Sequence, residues 1–245
     1  MKAITFDFWN TLVDGTITPA STAARVARVH DALVGAGNAC SVDELSRAFQ
    51  SVTQRMDEAG RERAEEVGPP GRWAEMAREL GIPEGLIAYE VVERAYDDIT
   101  LNPVPAVMPH VHEAVNAMKA AGYRLGVICN TGMAGGRVLR EVLRRQKLLD
   151  AFEVTVFSNE FGVPKPHPAI FEHTLAALGG IPSGEALHVG DVENLDVEGA
   201  RRAGMHSALY APETDGSIET DADFVVRDWR DFGPQVARFV MPDGA

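Results

Sequence analysis

The chain has only two cysteines in 245 residues, Cys40 and Cys129. They lie far apart and follow no metal-binding or redox spacing. That excludes a disulfide framework and suits a reducing compartment. Positive charge is also scarce: 23 Lys and Arg stand against 36 Asp and Glu, a formal net charge of −13. Such a surface repels nucleic acid and anionic membranes. The densest basic cluster, Arg137 to Lys147, reads as the wet face of a helix. No apolar run approaches the about 20 residues needed to cross a bilayer. There are no internal repeats and no low-complexity tract. Met1-Lys2 leads straight into an apolar strand, without the segments of a signal peptide. The expectation is a soluble cytoplasmic protein whose partner is a small molecule, with neither nucleic acid nor membrane involved. An anionic substrate stays open, because a bound metal reverses the sign of a local field. Oligomeric state leaves no mark in the sequence.

The apolar content, 45%, supplies a core for one large domain or for a domain with an insert. From about residue 105 short apolar runs alternate with helical patterns. Strands are expected at 123–130, 152–158, 185–191, 206–211 and 222–226. Helices are expected at 112–122, from Gly136 through Leu149, at 168–180 and at 195–204. Pro168 opens one of these helices and Gly179-Gly180 stops it. Alternation of this kind predicts an α/β fold, a doubly wound parallel sheet with helices on both faces.

Residues 16–100 carry helical patterns and no strand. Val26, Val29 and Leu33 share one helical face. Ser41-Val-Asp-Glu44 is a capping box that opens a second helix bearing Leu45, Phe49, Val52 and Met56. Residues 65–72 read as a turn. Trp73, Met76, Ala77 and Leu80 form a third stripe, and a fourth helix begins near Pro83 and runs to about Ile99. The expected organisation is a core of residues 1–15 and 101–245, with an all-helical insert at 16–100.

One acid, Asp7, sits inside the apolar run "ITFDFWNTLVD". Ligands of open parallel sheets bind beyond the carboxyl ends of the strands. Asp7, Asn130-Thr131 and Gly190-Asp191 all fall at such ends, and Lys165 enters from a loop. Buried carboxylates that face one another need a cation or a raised pKa. Asp7, Asp191 and Asp196 together make a hard-oxygen site suited to Mg²⁺.

These motifs resemble the haloacid dehalogenase-like superfamily. Its first motif is an apolar strand followed by Asp-x-Asp-x-Thr; here Asp7, Thr11 and Leu12 match. The strand "GVICNTG" corresponds to the second, "FGVPKPHPAIF" with Lys165 to the third, and "VGDVENLDVEGARRAGM" with Asp191 and Asp196 to the fourth. They occur in order over nearly the whole chain, and the insert is similar to the family's helical cap. The resemblance implies a Rossmann-like core and a hydrolase with Asp7 as nucleophile. It implies Mg²⁺ held by Asp7, Asp191 and the backbone carbonyl of Trp9, with Asp196 on the metal or its waters. Lys165 would offset charge on the transferring group. Asn130 and nearby amides would hold substrate oxygens, and water would hydrolyse the aspartyl intermediate.

Two positions depart from the phosphatase pattern. Trp9 stands where the family has a second Asp, the acid–base residue, and indole has no basic site. Cys129 takes the usual Ser/Thr slot, with Thr131 as a substitute on the same strand side. An aromatic at position 9 is also similar to the dehalogenase branch, where a halide leaves without a proton. That branch lacks the Gly-Asp retained here as Gly190-Asp191. The expected function is a Mg²⁺-dependent phosphatase on a small phosphorylated metabolite. A metal-independent C–X hydrolase and a catalytically impaired binding protein are the alternatives. Trp9, Thr11 and Cys129 are expected to face the substrate under the cap; beside that, Trp9 also reads as packing the core–cap junction and Cys129 as a small buried hydrophobe. Arginines in 61–72 either meet an anionic substrate or form a solvated face. Histidines 110, 112, 167, 173, 188 and 206 follow no ligand spacing and read as surface or core residues.

Overall fold

Ile4 and Phe6 point to one face of the first strand, Ala3 and Thr5 to the other, and all four are buried. A strand buried on both faces needs layers on both sides. The computed structural model describes residues 1–16, 18–83, 89–214 and 216–240, and supplies those layers. Strand β1 (Ala3–Phe6) is followed by four helices, α1 (Pro19–Gly35), α2 (Val42–Arg63), α3 (Pro69–Glu79) and α4 (Tyr89–Leu101). Next come α5 (Val111–Ala120), β2 (Arg124–Cys129), α6 (Gly136–Arg145), β3 (Val154–Phe157) and a single turn, α7 (Ser158–Phe161). The chain closes with α8 (Pro168–Ala177), β4 (Ala186–Gly190), α9 (Glu198–Arg202), β5 (His206–Tyr210), β6 (Phe224–Val226) and α10 (Trp229–Val240).

The six strands are all parallel, in the order β3-β2-β1-β4-β5-β6. This is the doubly wound order, and its crevice opens where the connections from β1 diverge, beside β2 and β4. Val115, Val138, Leu139, Trp229 and Phe232 pack on the face presented by Ile4 and Phe6. Ile170, Phe171, Leu175 and Ala200 cover the opposite face with Ala3. The helices between β1 and α5 share a separate apolar cluster of Val26, Leu33, Leu45, Val52, Trp73, Met76 and Val92. Met133, from the loop after β2, reaches into that cluster.

Local chemistry explains most boundaries. Thr18 and Ser21 cap α1 reciprocally, as Ser41 and Glu44 cap α2. The turn expected at 65–72 ends earlier, at Gly68, because Pro69 is pre-set for a first helical position. Pro83, the expected opening of the fourth helix, is not helical; residues 84–88 after it lie outside the described residues. The helix expected at 195–204 is shorter than its pattern: a π-helical turn at Glu193–Val197 precedes α9. Helix α10 has no counterpart in the expectations above. Gly233 and Pro234 obscure it, yet Trp229, Phe232 and Val236 form a buried stripe at helical spacing. Among the described residues no helix is long and apolar enough to cross a membrane.

Candidate active site

The Asp7 amide donates to the Val189 carbonyl at 2.8 Å, so the β1–β4 ladder continues one residue past the strand. The Asp7 side chain then leaves at the carboxyl end of β1. Lys165 meets it there. Its Nζ donates to Asp7 Oδ1 at 2.5 Å, Asp196 Oδ1 at 2.6 Å and the Ile128 carbonyl at 3.0 Å. All three ammonium hydrogens are used, and the side chain is 2% exposed. One oxygen each from Asp7, Asp191 and Asp196 lie within 4.8 Å of one another.

The two acids that share Lys165 differ in what else they have. Asp196 also takes His188 Nε2 at 3.1 Å and, on Oδ2, the Val192 amide at 3.0 Å. Burial would raise its carboxyl, but Lys165 and His188 outweigh that and hold it well below the usual range. Asp7 has a single side-chain donor among the described residues, Lys165. Burial dominates and pushes it up to about 7; Lys165 opposes, and the charges of Asp196 and Asp191 add to the rise. Burial would pull the Lys165 ammonium down, but Asp196 and Asp7 hold it above the usual lysine range. Asp196 is thus the settled ionic partner, and Asp7 is the acid left short of positive charge.

The fourth motif has a steric basis. A Cβ on Gly190 would lie 2.1 Å from the Asp196 carboxyl carbon, so only glycine lets that carboxylate fold back against the strand end. A Cβ on Gly199 would press within 2.7 Å of the Phe171 ring and 3.0 Å of the Pro166 backbone. Glycine there lets α9 seat closely on the loop that delivers Lys165.

The structure brings most of the expected residues together. Asn130 clamps the Lys165 backbone: its Oδ1 accepts from the Lys165 amide at 2.7 Å and its Nδ2 donates to the Lys165 carbonyl at 2.9 Å. The Thr131 amide donates to Ser158 Oγ at 2.8 Å, and its hydroxyl accepts from the Asn159 amide at 3.2 Å. Thr11 and Cys129 are 0% and 1% exposed, so neither has the open placement expected of a substrate-facing residue, and Cys129 fits its other reading as a small buried hydrophobe. Thr11 lies beneath the site, where its hydroxyl donates to Asp191 Oδ1 at 3.4 Å. Cys129 packs among core residues because strand alternation turns it to the Ile4–Phe6 side of the sheet. Trp9 is partly exposed; its ring meets Phe8 edge-on with centroids 4.8 Å apart and borders a cavity.

That cavity, about 380 Å³, spans the strand ends and the helices between β1 and α5. Trp9, Asn130 and Thr131 line it from below, Phe49, Arg72 and Tyr96 from above. Arg72 is buried and not on a solvated face.

Two functional candidates escaped the sequence reading. His188 is fully buried, with Nδ1 2.8 Å from the Thr5 hydroxyl and Nε2 on Asp196. Burial lowers its pKa, so the neutral ring donates from Nε2 to Asp196 and accepts from Thr5. Strand alternation could have found it, since His188 and Thr5 are register partners on one face. Glu66 lines the cavity from the turn between α2 and α3 and carried no pattern.

The site suits a divalent cation. Asp7 and Asp191 are acids that burial pushes up, and they lie close to each other. A hard cation on their oxygens would remove that burden.

Residues 1–204 match the family described as haloacid dehalogenase-like hydrolase. The chain belongs to this family. It is 32% identical to a glyceraldehyde 3-phosphate phosphatase of Methanopyrus kandleri over 216 residues, 84% of this chain and 82% of that one. It is 33% identical over 139 residues to haloacid dehalogenase-like hydrolase domain-containing protein 3 of Xenopus laevis, 57% of this chain; the match spans about half of that protein, 55%. Among solved structures it resembles a HAD phosphatase from Thermococcus onnurineus (TM-score 0.68, 23% identity, 96% of this chain and 98% of that one). It also resembles a 2-haloacid dehalogenase from Pseudomonas syringae pv. Tomato (TM-score 0.71, 22% identity, 98% and 99%). At such identities these two establish the fold alone. The α/β, Rossmann-like architecture and the hydrolase class expected from the motifs both hold.

Proposed function

We propose that this hydrolase is a Mg²⁺-dependent phosphatase acting on a small phosphorylated metabolite through Asp7, with α1–α4 as its cap. The observation that carries the reading is the acid trio around one buried ammonium, in which burial raises Asp7 and Asp191 while Lys165 and His188 hold Asp196 low. The phosphatase relatives support the substrate class.

Asp7 Oδ1 is tied to Lys165, so Oδ2 is the oxygen free to attack phosphorus. An Asp7–phosphorus bond forms as the bond to the leaving oxygen breaks, and water then cleaves the acyl phosphate. Lys165 stands beside the transferring group with its charge already oriented. Asp196 and Asn130 position it, the first through its ammonium and the second through its backbone. Asp196 spends both oxygens on protein donors, so a metal would rest mainly on Asp7 and Asp191. When bound, Mg²⁺ supplies positive charge that offsets nucleophile and phosphate together.

Trp9 supplies no proton to the leaving oxygen. General acid–base catalysis contributes about 10²- to 10⁴-fold, so acyl phosphates should turn over much faster than alkyl phosphates. Trp9→Asp is accordingly expected to raise kcat for glycerol 3-phosphate by about 10²-fold while changing acetyl phosphate far less. Equal losses on both substrates would count against the assigned role of position 9.

Trp9 also favours a second reading, metal-independent C–X cleavage, and a third, a binding protein with impaired chemistry. A panel of acetyl phosphate, glyceraldehyde 3-phosphate and 2-chloropropionate, run with Mg²⁺ and with EDTA, separates them. Phosphate release that falls about 10²-fold or more in EDTA is the expected result. Halide release that survives EDTA would replace it with the second reading. Inertness with ligand-dependent stabilisation would favour the third.

A further inference from the structure

An arginine withdrawn from water usually has a carboxylate beside it, because its charge is costly to desolvate alone. The cavity above the strand ends holds an exception. Arg25 lines it from α1 and is half-buried. Its one hydrogen bond among the described residues is long: Nη1 donates to Ser21 Oγ at 3.5 Å. No carboxylate of the described residues pairs with it. Its Nε and Nη2 have no partner there and are not closed off from a guest.

The other charges around the cavity are already answered. Arg72 donates from Nη2 to Asp57 Oδ1 at 2.8 Å. Glu65 accepts from Arg63 at 2.9 and 3.2 Å. Burial pushes the Glu66 carboxyl above its ordinary range, which weakens it as an anion. Arg61 also lines the cavity, but it is exposed and water satisfies it. Arg25 is the half-buried cation left over.

Tyr96 completes the arrangement from α4. Its ring stacks on that of Phe49, with centroids 6.2 Å apart, and both rings line the cavity. The phenol oxygen makes no hydrogen bond among the described residues and is not closed off. Burial raises its pKa, and the charges of Arg25 and Arg72 oppose the rise, so both guanidiniums stand near the hydroxyl. The phenol remains a proton donor in a positive field. A guanidinium fork beside an O–H donor suits anionic oxygens. A neutral hydroxyl in the same place would leave the charge of Arg25 unanswered.

We infer that Arg25 and Tyr96 form a second anion site, which selects phosphate esters whose far end carries a carboxylate or another phosphate. The inference deepens the phosphatase reading and rests on it: that reading sets the phosphoryl group at Asp7 and leaves the rest of the molecule to the cavity.

Competition against acetyl phosphate turnover in Mg²⁺ tests it, because inhibition constants report binding even for slowly hydrolysed esters. 3-Phosphoglycerate differs from glycerol 3-phosphate by a carboxylate in place of a hydroxymethyl group. It should inhibit with a constant about ten-fold or more lower. 1,3-Propanediol bisphosphate beside 3-hydroxypropyl phosphate asks the same of a second phosphate, and the pair with the wider gap names the preferred group. Arg25→Gln should raise the constants of the doubly anionic ligands about ten-fold and leave glycerol 3-phosphate little changed. Tyr96→Phe keeps the stack on Phe49 and should act in the same direction, less strongly. Arg25→Lys keeps the charge without the fork and should recover part of the loss. Equal constants within both pairs in the wild type would overturn the inference. So would an Arg25→Gln protein that binds every ligand equally more weakly, which would make Arg25 a structural residue of α1. Wild-type protein that leaves acetyl phosphate intact would instead sink the phosphatase reading. Thermal shifts with the same ligands then decide the site: stabilisation by 3-phosphoglycerate that Arg25→Gln removes supports it, and equal shifts in the two proteins, or none, overturn it.

Discussion

Asp7→Asn is expected to lower acetyl phosphate turnover by roughly 10⁴- to 10⁶-fold, the range seen when a nucleophile is removed from an otherwise intact site. The substitution keeps the shape of the side chain and an acceptor for Lys165 Nζ, which now lies 2.5 Å away. It removes the charge and, in the proposed mechanism, the attacking oxygen. Stability should move the other way. The Asp7 carboxyl is pushed up from 3.8 to about 7, chiefly by burial. A folded-state pKa above the unfolded value means that the native state holds a proton the unfolded chain has released. The penalty therefore begins as pH rises through 3.8 and is complete above about 7. In EDTA, the Asn variant should melt no lower than wild type, and its advantage should grow between about pH 5 and 8. Calorimetry beside a steady-state assay reads both effects. Retained turnover would remove Asp7 from the chemistry.

Lys165→Met should cost both rate and stability. The ammonium is 2% exposed and bridges Asp7 and Asp196, with Asp191 in the same cluster. Without it, acids gather in a buried place with no protein cation between them. Breaking a buried ion pair by removing one partner typically costs about 3–5 kcal/mol. In the proposed mechanism, loss of an oriented charge beside the transferring group adds a rate loss of about 10²- to 10³-fold. Urea unfolding should show the stability loss, and lowering the pH should shrink it as the freed acids take up protons. Mg²⁺ should restore part of the stability and little of the rate. Lys165→Arg is not expected to rescue, because three acceptors surround a point-like ammonium and leave no room for a planar fork.

Much of this molecule was legible before any coordinates. The strands announced themselves because both faces of the sheet are covered, which forces continuous apolar runs such as those around Ile4 and Leu187. Asp7 was conspicuous for the same reason, as an acid where burial is otherwise complete. The capping box at Ser41 fixed the start of α2 through local hydrogen bonds that need no tertiary context. What stayed hidden depends on distance in the chain. Asp7, Lys165 and Asp196 carry no sign of which acid keeps the proton. That is settled by His188 and the Val192 amide, which converge on Asp196 alone. Thr11 and Cys129 looked like substrate-facing residues because their positions in the motifs say nothing of which way each side chain turns. Arg72 looked like part of a wet helix face, since its role comes from Asp57 and Val67 folding around it.

In the proposed mechanism the Asp7 carboxylate forms a bond to the transferring group. Mass spectrometry of the peptide carrying Asp7, after an acid quench during acetyl phosphate turnover, tests it most directly. The expected result is a phosphoryl adduct on Asp7 that needs Mg²⁺ to form and is missing from Asp7→Asn. Rapid turnover with Asp7 unmodified at every quench time, or an adduct on another side chain, would contradict it.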